Sequence, residues 1–310
     1  MVSVTDLVLL VFKQMRALLI TGVVLVLCAC AYPQSDLQQL YEAERKFDQA
    51  IREKGVKPAF LDFLASDAVL FRPTPVNGKK FWEERADSST EILLRSPTFA
   101  DLSTNGSLGY TTGNWEYHPN GMKDSRAEYG QFVTIWEKRP GVGFRMTLDM
   151  VITHEKLPPK ETNRSTKLER TREINKYGWS VADASMNFLK MSMGKYALGG
   201  AYKRFAGDDV RLLRDSIPPI LGKKNVVSQT KQYLSIDFPQ KVSLLESANM
   251  AYVWNQCEFA NSNEGFEKGN CLQIWKLRDK KWWIVLGAFA RLPNDSKPEL
   301  KSRANGKTAK

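Results

Sequence analysis

The sequence predicts an α+β protein made of two tandem domains, and two observations lead to this prediction. Helical patterns precede β-rich segments, and this order occurs twice along the 310 residues. Helices that are segregated from a run of antiparallel strands are typical of α+β folds. The length also allows two domains that each bury a core of their own.

The predicted elements follow the same order in each half. In the first half, Ser35 and Gln38 form a capping box before a helical stripe that stops at Gly55. Further helices and strands of this half are expected at 57–64, 79–88, 98–102, 108–117, 129–137 and 144–153. In the second half, Ser180 caps the first helix. Strands there are expected near 241–245, 250–259, 270–278 and 282–289.

Matches at a nearly constant spacing indicate a duplication. Residues 42–47 align with 183–188 at an offset of 141, and Ile135-Trp136 aligns with Ile274-Trp275 at an offset of 139. No single match is specific, but their common order makes two diverged copies the economical interpretation.

The N-terminus has the pattern of an export signal. An apolar run from Ala17 to Ala31 follows Lys13 and Arg16. The small residues at its end permit either cleavage before Tyr32 or a lipobox with Cys30 as the lipidated residue. We therefore expect an exported protein, periplasmic or secreted, that is either soluble or lipid-anchored. The predicted organisation is a signal peptide at 1–31, a first domain at 32–154, a charged proline-containing linker at 155–178, a second domain at 179–293 and a basic tail at 294–310.

The formal net charge of +11 lies mostly outside the two predicted domains. Residues 155–178 carry seven basic and four acidic residues, and residues 291–310 carry six basic and two acidic residues. What remains is too small for the electrostatic footprint of a nucleic-acid-binding surface. We expect no nucleic-acid partner, and membrane contact only through a lipid anchor.

Only Cys257 and Cys271 remain in the predicted mature domains. They flank a predicted hairpin turn at Glu264-Gly265, so they can face each other across two antiparallel strands. An oxidising compartment favours a disulfide. Two small buried thiols are the alternative.

Several motifs of the first half resemble those of a known superfamily. They are Ala65-x-Asp67 before Phe71-Arg72, Gly78-Lys79-Lys80 opening a helix, and the segments 106–113, 130–136 and 146–150. Their order resembles the ketosteroid-isomerase-like, or SnoaL-like, branch of the nuclear transport factor 2-like superfamily, and is similar to bacterial domain of unknown function 4440. The resemblance covers 36–154 well and 180–292 loosely. It implies two tandem cone-shaped domains, each with three N-terminal helices on a curved, mostly antiparallel sheet around an apolar pocket.

The resemblance also implies where chemistry would occur. Such pockets serve isomerases, dehydratases and cyclases as well as proteins without known chemistry, so the fold leaves function open. The candidate proton carrier is Asp149, whose place in the second copy is taken by Gly287. Strand alternation gives an alternative in which Asp149 points out of the pocket and pairs with Arg145 or Arg72. The candidate ligand-binding residues are Tyr110, Trp115, Tyr117, Tyr129 and Trp136.

No residue spacing suggests a metal, a cofactor or a nucleotide, and His118 and His154 are expected at solvated positions. Three functions follow as hypotheses. The first is binding of an apolar small molecule in the first domain. The second is an isomerase- or dehydratase-like enzyme using Asp149, and the third is a structural or interaction module with filled pockets. The two domains are expected to pack as an intramolecular pseudo-dimer.

Overall fold

A computed structural model describes residues 35–157, 180–194, 197–235, 242–261 and 265–293. We call residues 35–157 the first unit and residues 180–293 the second unit. The predicted signal peptide, Cys30, residues 158–178 of the linker and the basic tail lie outside the described residues.

The α+β prediction is confirmed, because the described residues form six helices and two mostly antiparallel sheets. The helices are α1 (Asp36–Lys54), α2 (Val56–Phe63), α3 (Gly78–Glu84), α4 (Val181–Ser192), α5 (Ala197–Phe205) and α6 (Lys223–Thr230). The strands of the first unit are β1 (Leu64–Phe71), β2 (Pro75–Asn77), β3 (Ile92–Leu102), β4 (Leu108–His118), β5 (Glu128–Arg139) and β6 (Gly143–Thr153). Those of the second unit are β7 (Ala206–Arg214), β8 (Ile217–Leu221), β9 (Tyr233–Ser235), β10 (Val242–Ser247), β11 (Met250–Asn261), β12 (Gly265–Arg278) and β13 (Lys281–Arg291).

The two sheets have the same topology. The strand order is β2-β1-β6-β5-β4-β3 in the first unit and β8-β7-β13-β12-β11-β10 in the second, where β9 also pairs with β11. In each sheet only one pair is parallel, β1 with β6 and β7 with β13. Because both sheets share this order, strand registers define matching positions. Leu70 pairs with Asp149 and Leu212 pairs with Gly287, so Asp149 matches Gly287.

Local sequence signals explain how the helices begin and end. The Ser35 hydroxyl accepts a hydrogen bond from the backbone N–H of Gln38 at the start of α1. The helix ends at Lys54, before Gly55 with a φ of +90°, a conformation that favours glycine. Ser180 caps α4 in the same way.

The helices cover one face of each sheet and close one end of each unit with an aromatic core. In the first unit the ring centroids of Phe47 and Phe63 each lie 6.4 Å from that of Trp136. In the second unit Phe188 and Phe205 lie 6.3 and 6.1 Å from Trp275. These tryptophans are fully buried. The closed ends of the two units are therefore built alike.

The two sheets pack against each other through the faces that point away from their helices. Their buried contact includes Leu108, Val133, Ile135, Leu148 and Met150 from the first unit and Met250, Leu272, Ile274, Leu286 and Ala288 from the second. Polar contacts also cross this contact surface. Lys276 Nζ lies 3.0 Å from Asp101 Oδ1 and donates to the carbonyl of Leu102 at 2.8 Å. Asp215 accepts the backbone N–H of Thr153 at 2.6 Å.

Within the described part of the chain, no helix has the length and apolar character needed to cross a membrane. The same residues contain no group of three or more His, Cys, Asp and Glu side chains arranged to hold a metal ion.

Candidate functional site

The first unit has a half-open cavity of about 510 Å³ between its sheet, α2, α3 and the segment after β1. Most of its wall is apolar: Val56, Phe60, Phe71, Pro73, Phe81, Trp82, Leu93, Trp115 and Val151. Its polar wall residues are Arg72, Arg85, Glu91, Arg95, Tyr117, Glu128 and Asp149. An apolar cavity of this size with a few polar groups is typical of a small-molecule site.

A β-bulge places Asp149 on the cavity side of the sheet. Ile135 pairs with Leu148 and Trp136 pairs with Met146, so Thr147 is an extra residue in β6. A bulge shifts the alternation of side chains between the two faces. Met146 packs in the core under the helices, whereas Leu148 faces the second unit. Strict alternation therefore put Asp149 on the wrong face. Of its two expected partners, Arg72 lies beside it, whereas the pairing with Arg145 is wrong.

Asp149 belongs to a buried chain of alternating charges. Arg95 Nη1 donates to Asp149 Oδ1 at 3.2 Å, and Arg95 Nε donates to Glu44 Oε1 at 3.2 Å. These three side chains are at most 1% exposed. The hydroxyl of Thr134 donates to Asp149 Oδ1 at 2.6 Å, and that of Thr111 donates to Glu44 Oε2 at 2.6 Å. Buried charges persist when they are paired and hydrogen-bonded in this way.

The pairing explains the state of Arg95. Burial by itself lowers the pKa of Arg95, but the neighbouring carboxylates of Asp149 and Glu44 outweigh burial and raise it. The guanidinium carbon also lies 3.7 Å from the ring centroid of Phe132. The positive charge of Arg95 is thus neutralised by carboxylates of the protein itself.

Arg72 is the most exposed of the three members of this chain that line the cavity. Its Nη2 lies 3.8 Å from Asp149 Oδ2, beyond hydrogen-bond distance, and its side chain is 23% exposed. Asp149 itself is fully buried, and its Oδ2 has no hydrogen-bond partner among the described residues. Burial lowers the pKa of Arg72, an effect that the attraction of Asp149 opposes. A ligand in the cavity therefore meets Arg72 before it meets Asp149.

A second polar group lies at the cavity wall near the end of α3. Arg85 donates to both oxygens of Glu91, at 2.9 and 2.6 Å, and Tyr117 donates to Glu91 Oε2 at 2.9 Å. The hydrogen bond to Glu91 raises the pKa of Arg85. Burial, followed by the hydrogen bond to Glu91, raises the pKa of Tyr117. These three side chains satisfy one another, so they shape the cavity without leaving a charge unpaired.

Two of the five residues predicted to bind a ligand line the cavity. They are Trp115 and Tyr117, both at odd-numbered positions of β4. Tyr110 is at an even-numbered position of the same strand and faces the second unit, so its assignment to the pocket is wrong. Trp136 faces the helices, but it is buried in the closed end of the unit, which corrects its assignment too.

Tyr129 also lies outside the cavity. It packs against His118 and Lys156 instead of facing the pocket.

His118 and His154 are buried, at 3% and 8% exposure, which corrects their expected solvation. His118 Nε2 lies 2.7 Å from Glu116 Oε1.

Sequence reasoning missed the charged wall of the cavity. The hydrophobic pattern of the sequence gave no reason to place three of its residues in the cavity wall: Arg85, Glu91 and Arg95. Arg95 in particular lies in the first part of β3, which begins at Ile92 and not near Thr98 as expected. A buried arginine in a strand becomes recognisable only once its carboxylate partners are known.

The second unit has almost no cavity at the matching place, where only about 40 Å³ remains. Tyr202 matches Phe60, because each lies four residues before the strand that follows it, β7 or β1. Its side chain extends towards Gly287, and a Cβ atom added to Gly287 would lie 2.4 Å from the Tyr202 hydroxyl. Phe289 stands where the first unit has Val151. Tyr202 and Phe289 therefore occupy this place in the second unit.

A disulfide joins Cys257 and Cys271 in the wall of the filled unit, with Cα atoms 6.0 Å apart. The two residues are diagonal neighbours on β11 and β12, because Cys271 pairs with Asn255 and Cys257 pairs with Gly269. Cys257 stands at the position that matches Trp115 of the first unit.

No family model matches the sequence, and no curated protein matches it. Solved structures similar to this chain include an NTF2-like protein of unknown function from Pseudomonas putida KT2440, with 8% identity, 38% of this chain and 94% of that chain covered, and a TM-score of 0.32. An NTF2-like protein from Cytophaga hutchinsonii matches with 14% identity, 36% and 95% coverage and a TM-score of 0.32. A ketosteroid isomerase-like protein from Erwinia carotovora atroseptica matches with 16% identity, 37% and 95% coverage and a TM-score of 0.30. These three neighbours are NTF2-like or ketosteroid isomerase-like proteins. At these values the likeness leaves function to be argued from the cavity.

Proposed function

We propose that the first unit binds a small, largely apolar molecule in its cavity, and that the second unit is a filled, structural partner. The observation that carries the proposal is the contrast between about 510 Å³ in the first unit and about 40 Å³ at the matching place in the second. Burial of apolar ligand surface releases about 25 cal/mol per Å² before the costs of association. We further propose that both units are diverged copies of an NTF2-like domain, related to domain of unknown function 4440.

The second unit supplies the substitution that tests this proposal. Val151→Phe places in the first cavity the residue that fills the second, Phe289. We expect the variant to lose binding of the neutral probe decanamide by at least about tenfold, because the cavity volume is occupied. A change in tryptophan fluorescence reports binding, since Trp82 and Trp115 line the cavity.

The matched control adds the same ring outside the cavity. Val142, which is 53% exposed in the turn between β5 and β6, is replaced in Val142→Phe. This variant should bind decanamide like the unmodified protein. Equal binding by Val151→Phe and the unmodified protein would contradict the proposal, as would a failure of the unmodified protein to bind.

An isomerase- or dehydratase-like enzyme is the second candidate function. One observation favours it: Asp149 Oδ2 has no hydrogen-bond partner among the described residues and lies at the cavity wall. Proton transfer would require Arg72 to move aside, because Asp149 is fully buried. Asp149→Asn should then abolish turnover and spare binding. Unchanged turnover would remove Asp149 from the mechanism.

We propose export on the basis of residues 17–31, whose pattern is that of a signal peptide. Intact mass of the protein from its native host should correspond to a chain that begins at Tyr32 or at a lipidated Cys30. Uncleaved protein in the cytoplasm would contradict export.

We also propose that the chain is a monomer in solution, arranged as an intramolecular pseudo-dimer. The apolar sheet faces that would otherwise join two chains are buried against each other within one chain. Size-exclusion chromatography with light scattering should give the monomer mass, and a stable dimer at low micromolar concentration would contradict this proposal.

A further inference from the structure

The second unit holds a carboxylate at a position that the first unit leaves open. Arg214 matches Arg72, because each lies two residues after the leucine that pairs with Gly287 or Asp149. Arg214 forms a buried ion pair with Glu267, and its guanidinium lies 4.2 Å from the ring centroid of Tyr233. The fold can therefore bind a carboxylate on this arginine inside its cone.

The glutamate that matches Glu267 makes no such contact in the first unit. Glu128 and Glu267 each stand eight residues before the buried tryptophan of their strand, Trp136 and Trp275. Glu267 is 3% exposed, whereas Glu128 is exposed at the cavity wall. Among the described residues, the ion pair of Arg72 is with Asp149 at 3.8 Å.

Arg72 places a positive charge at the cavity wall, at the end of the buried chain of charges. The chain runs Glu44, Arg95, Asp149, Arg72, so positive and negative charges cancel in pairs, and the group nearest to a ligand is Arg72. Coulomb energy falls with distance, so the nearest charge dominates at the cavity. A guanidinium also offers a planar fork of N–H donors that suits a carboxylate. Arg72 Nη1 donates a hydrogen bond to the carbonyl of Phe71 at 2.9 Å.

We infer that the ligand of the first unit is an apolar carboxylic acid, whose carboxylate binds Arg72 where the second unit binds Glu267 and whose apolar body lies against Trp82 and Trp115. This inference rests on the proposed function. In this arrangement Glu267 is an internal substitute for the ligand's carboxylate.

The test compares two probes of the same length in the full chain at neutral pH. Decanoate carries a carboxylate, and decanamide is its neutral counterpart. Decanoate should bind about tenfold to a hundredfold more tightly, as expected for hydrogen bonds to a charged group. Arg72→Gln should remove this preference, so that the ratio of decanoate to decanamide affinity falls to about one.

Arg145→Gln is the matched control. Arg145 also donates to the carbonyl of the preceding residue, at 3.0 Å, but it is not part of the cavity wall. This variant should keep the preference for decanoate. If Arg72→Gln no longer binds decanamide, Arg72→Lys is used in its place, because lysine keeps the positive charge but lacks the planar fork of donors. A preference for decanoate that is severalfold smaller in Arg72→Lys than in the unmodified protein supports the inference.

The outcomes separate the two proposals. Equal affinity of the unmodified protein for both probes overturns the inference and leaves the proposed function standing. A preference for decanoate that survives in Arg72→Gln, or is unchanged in Arg72→Lys, also overturns it. Binding of neither probe overturns the proposed function together with the inference.

Discussion

The first and second units share the same strand order and helix arrangement, but they differ in the side chains between the helices and the sheet. Both close one end with two phenylalanines against a buried tryptophan, and both have the same strand order. At the other end, the first unit has a chain of buried charges beside a cavity, and the second has aromatic side chains and a disulfide. A few positions on one face of a sheet thus decide whether this fold holds a ligand-sized space.

The two interiors also depend on different kinds of interaction. In the first unit Glu44, Arg95 and Asp149 are mutually dependent, because each would be a costly unpaired charge without the others. In the second unit Gly287 takes the position of Asp149, and the side chain of Tyr202 packs against it. Removal of single side chains should therefore affect the two units by different mechanisms.

The largest effect is expected from Arg95→Leu. The substitution leaves Glu44 and Asp149 buried without their common partner, which should lower the free energy of unfolding by about 3–5 kcal/mol. Urea unfolding measures this change. The control is Arg45→Leu, because Arg45 pairs with Glu42 on the surface and is 64% exposed. A loss for Arg95→Leu no larger than that of the control would show that the buried chain contributes little.

The disulfide of the second unit should give the next largest effect. Cys257 and Cys271 are 14 residues apart. A loop of that length predicts that the bond stabilises the fold by about 3 kcal/mol. The double substitution of both cysteines by serine should lower the free energy of unfolding by that amount. A reducing agent should lower the stability of the unmodified protein to the same extent and leave the variant unchanged. Insensitivity of both proteins would mean that the two thiols are not joined in solution.

Sequence alone was enough for the frame but not for the site. The Ser35 cap, the helix that ends before Gly55 and the order of helices and strands all follow from local signals. The bulge at Thr147 does not, because both faces of β6 are buried, one under the helices and one against the second unit. A strand buried on both faces loses the alternating pattern from which its orientation is predicted. The carboxylate partners of Arg95 are more than 50 residues away in the sequence, so no local signal reveals them.

A smaller effect should come from Gly287→Ala in the second unit. The added Cβ atom would lie 2.4 Å from the hydroxyl of Tyr202, so the tyrosine or the strand must shift. Overpacking of this kind costs about 1–3 kcal/mol. In the double variant with Tyr202→Phe, the loss should be smaller than the sum of the two single losses. Additive losses would show that the tyrosine hydroxyl does not occupy the place of the Asp149 side chain.

The smallest effect concerns two matching tyrosines between the sheets. The hydroxyl of Thr147, the bulge residue of the first unit, lies close enough to Tyr252 of the second to lower the pKa of its phenol. The bulge residue of the second unit is Val285, which has no hydroxyl. Tyr110, which matches Tyr252, has a buried hydroxyl without a hydrogen-bond partner among the described residues. Since an unsatisfied buried hydroxyl is costly, Tyr110→Phe should be neutral or stabilising. Tyr252→Phe should cost about 1 kcal/mol.

The same tyrosine gives the contact between the units a pH dependence. Burial raises the pKa of Tyr252 from 10.0 to about 12, so the folded protein keeps the phenol proton that the unfolded chain releases. A raised pKa contributes stability that is complete below the pKa of the unfolded chain, near 10, and is lost as the pH rises through 12. Between about pH 9 and 11 the unmodified protein should lose about 1 kcal/mol more than Tyr252→Phe, measured by urea unfolding at each pH. Phenylalanine does not titrate, so Tyr252→Phe should lack this loss. If the free energies of unfolding of both proteins changed with pH in parallel, Tyr252 would be as accessible to hydroxide in the folded protein as in the unfolded chain. The two sheets would then not stay packed at this point.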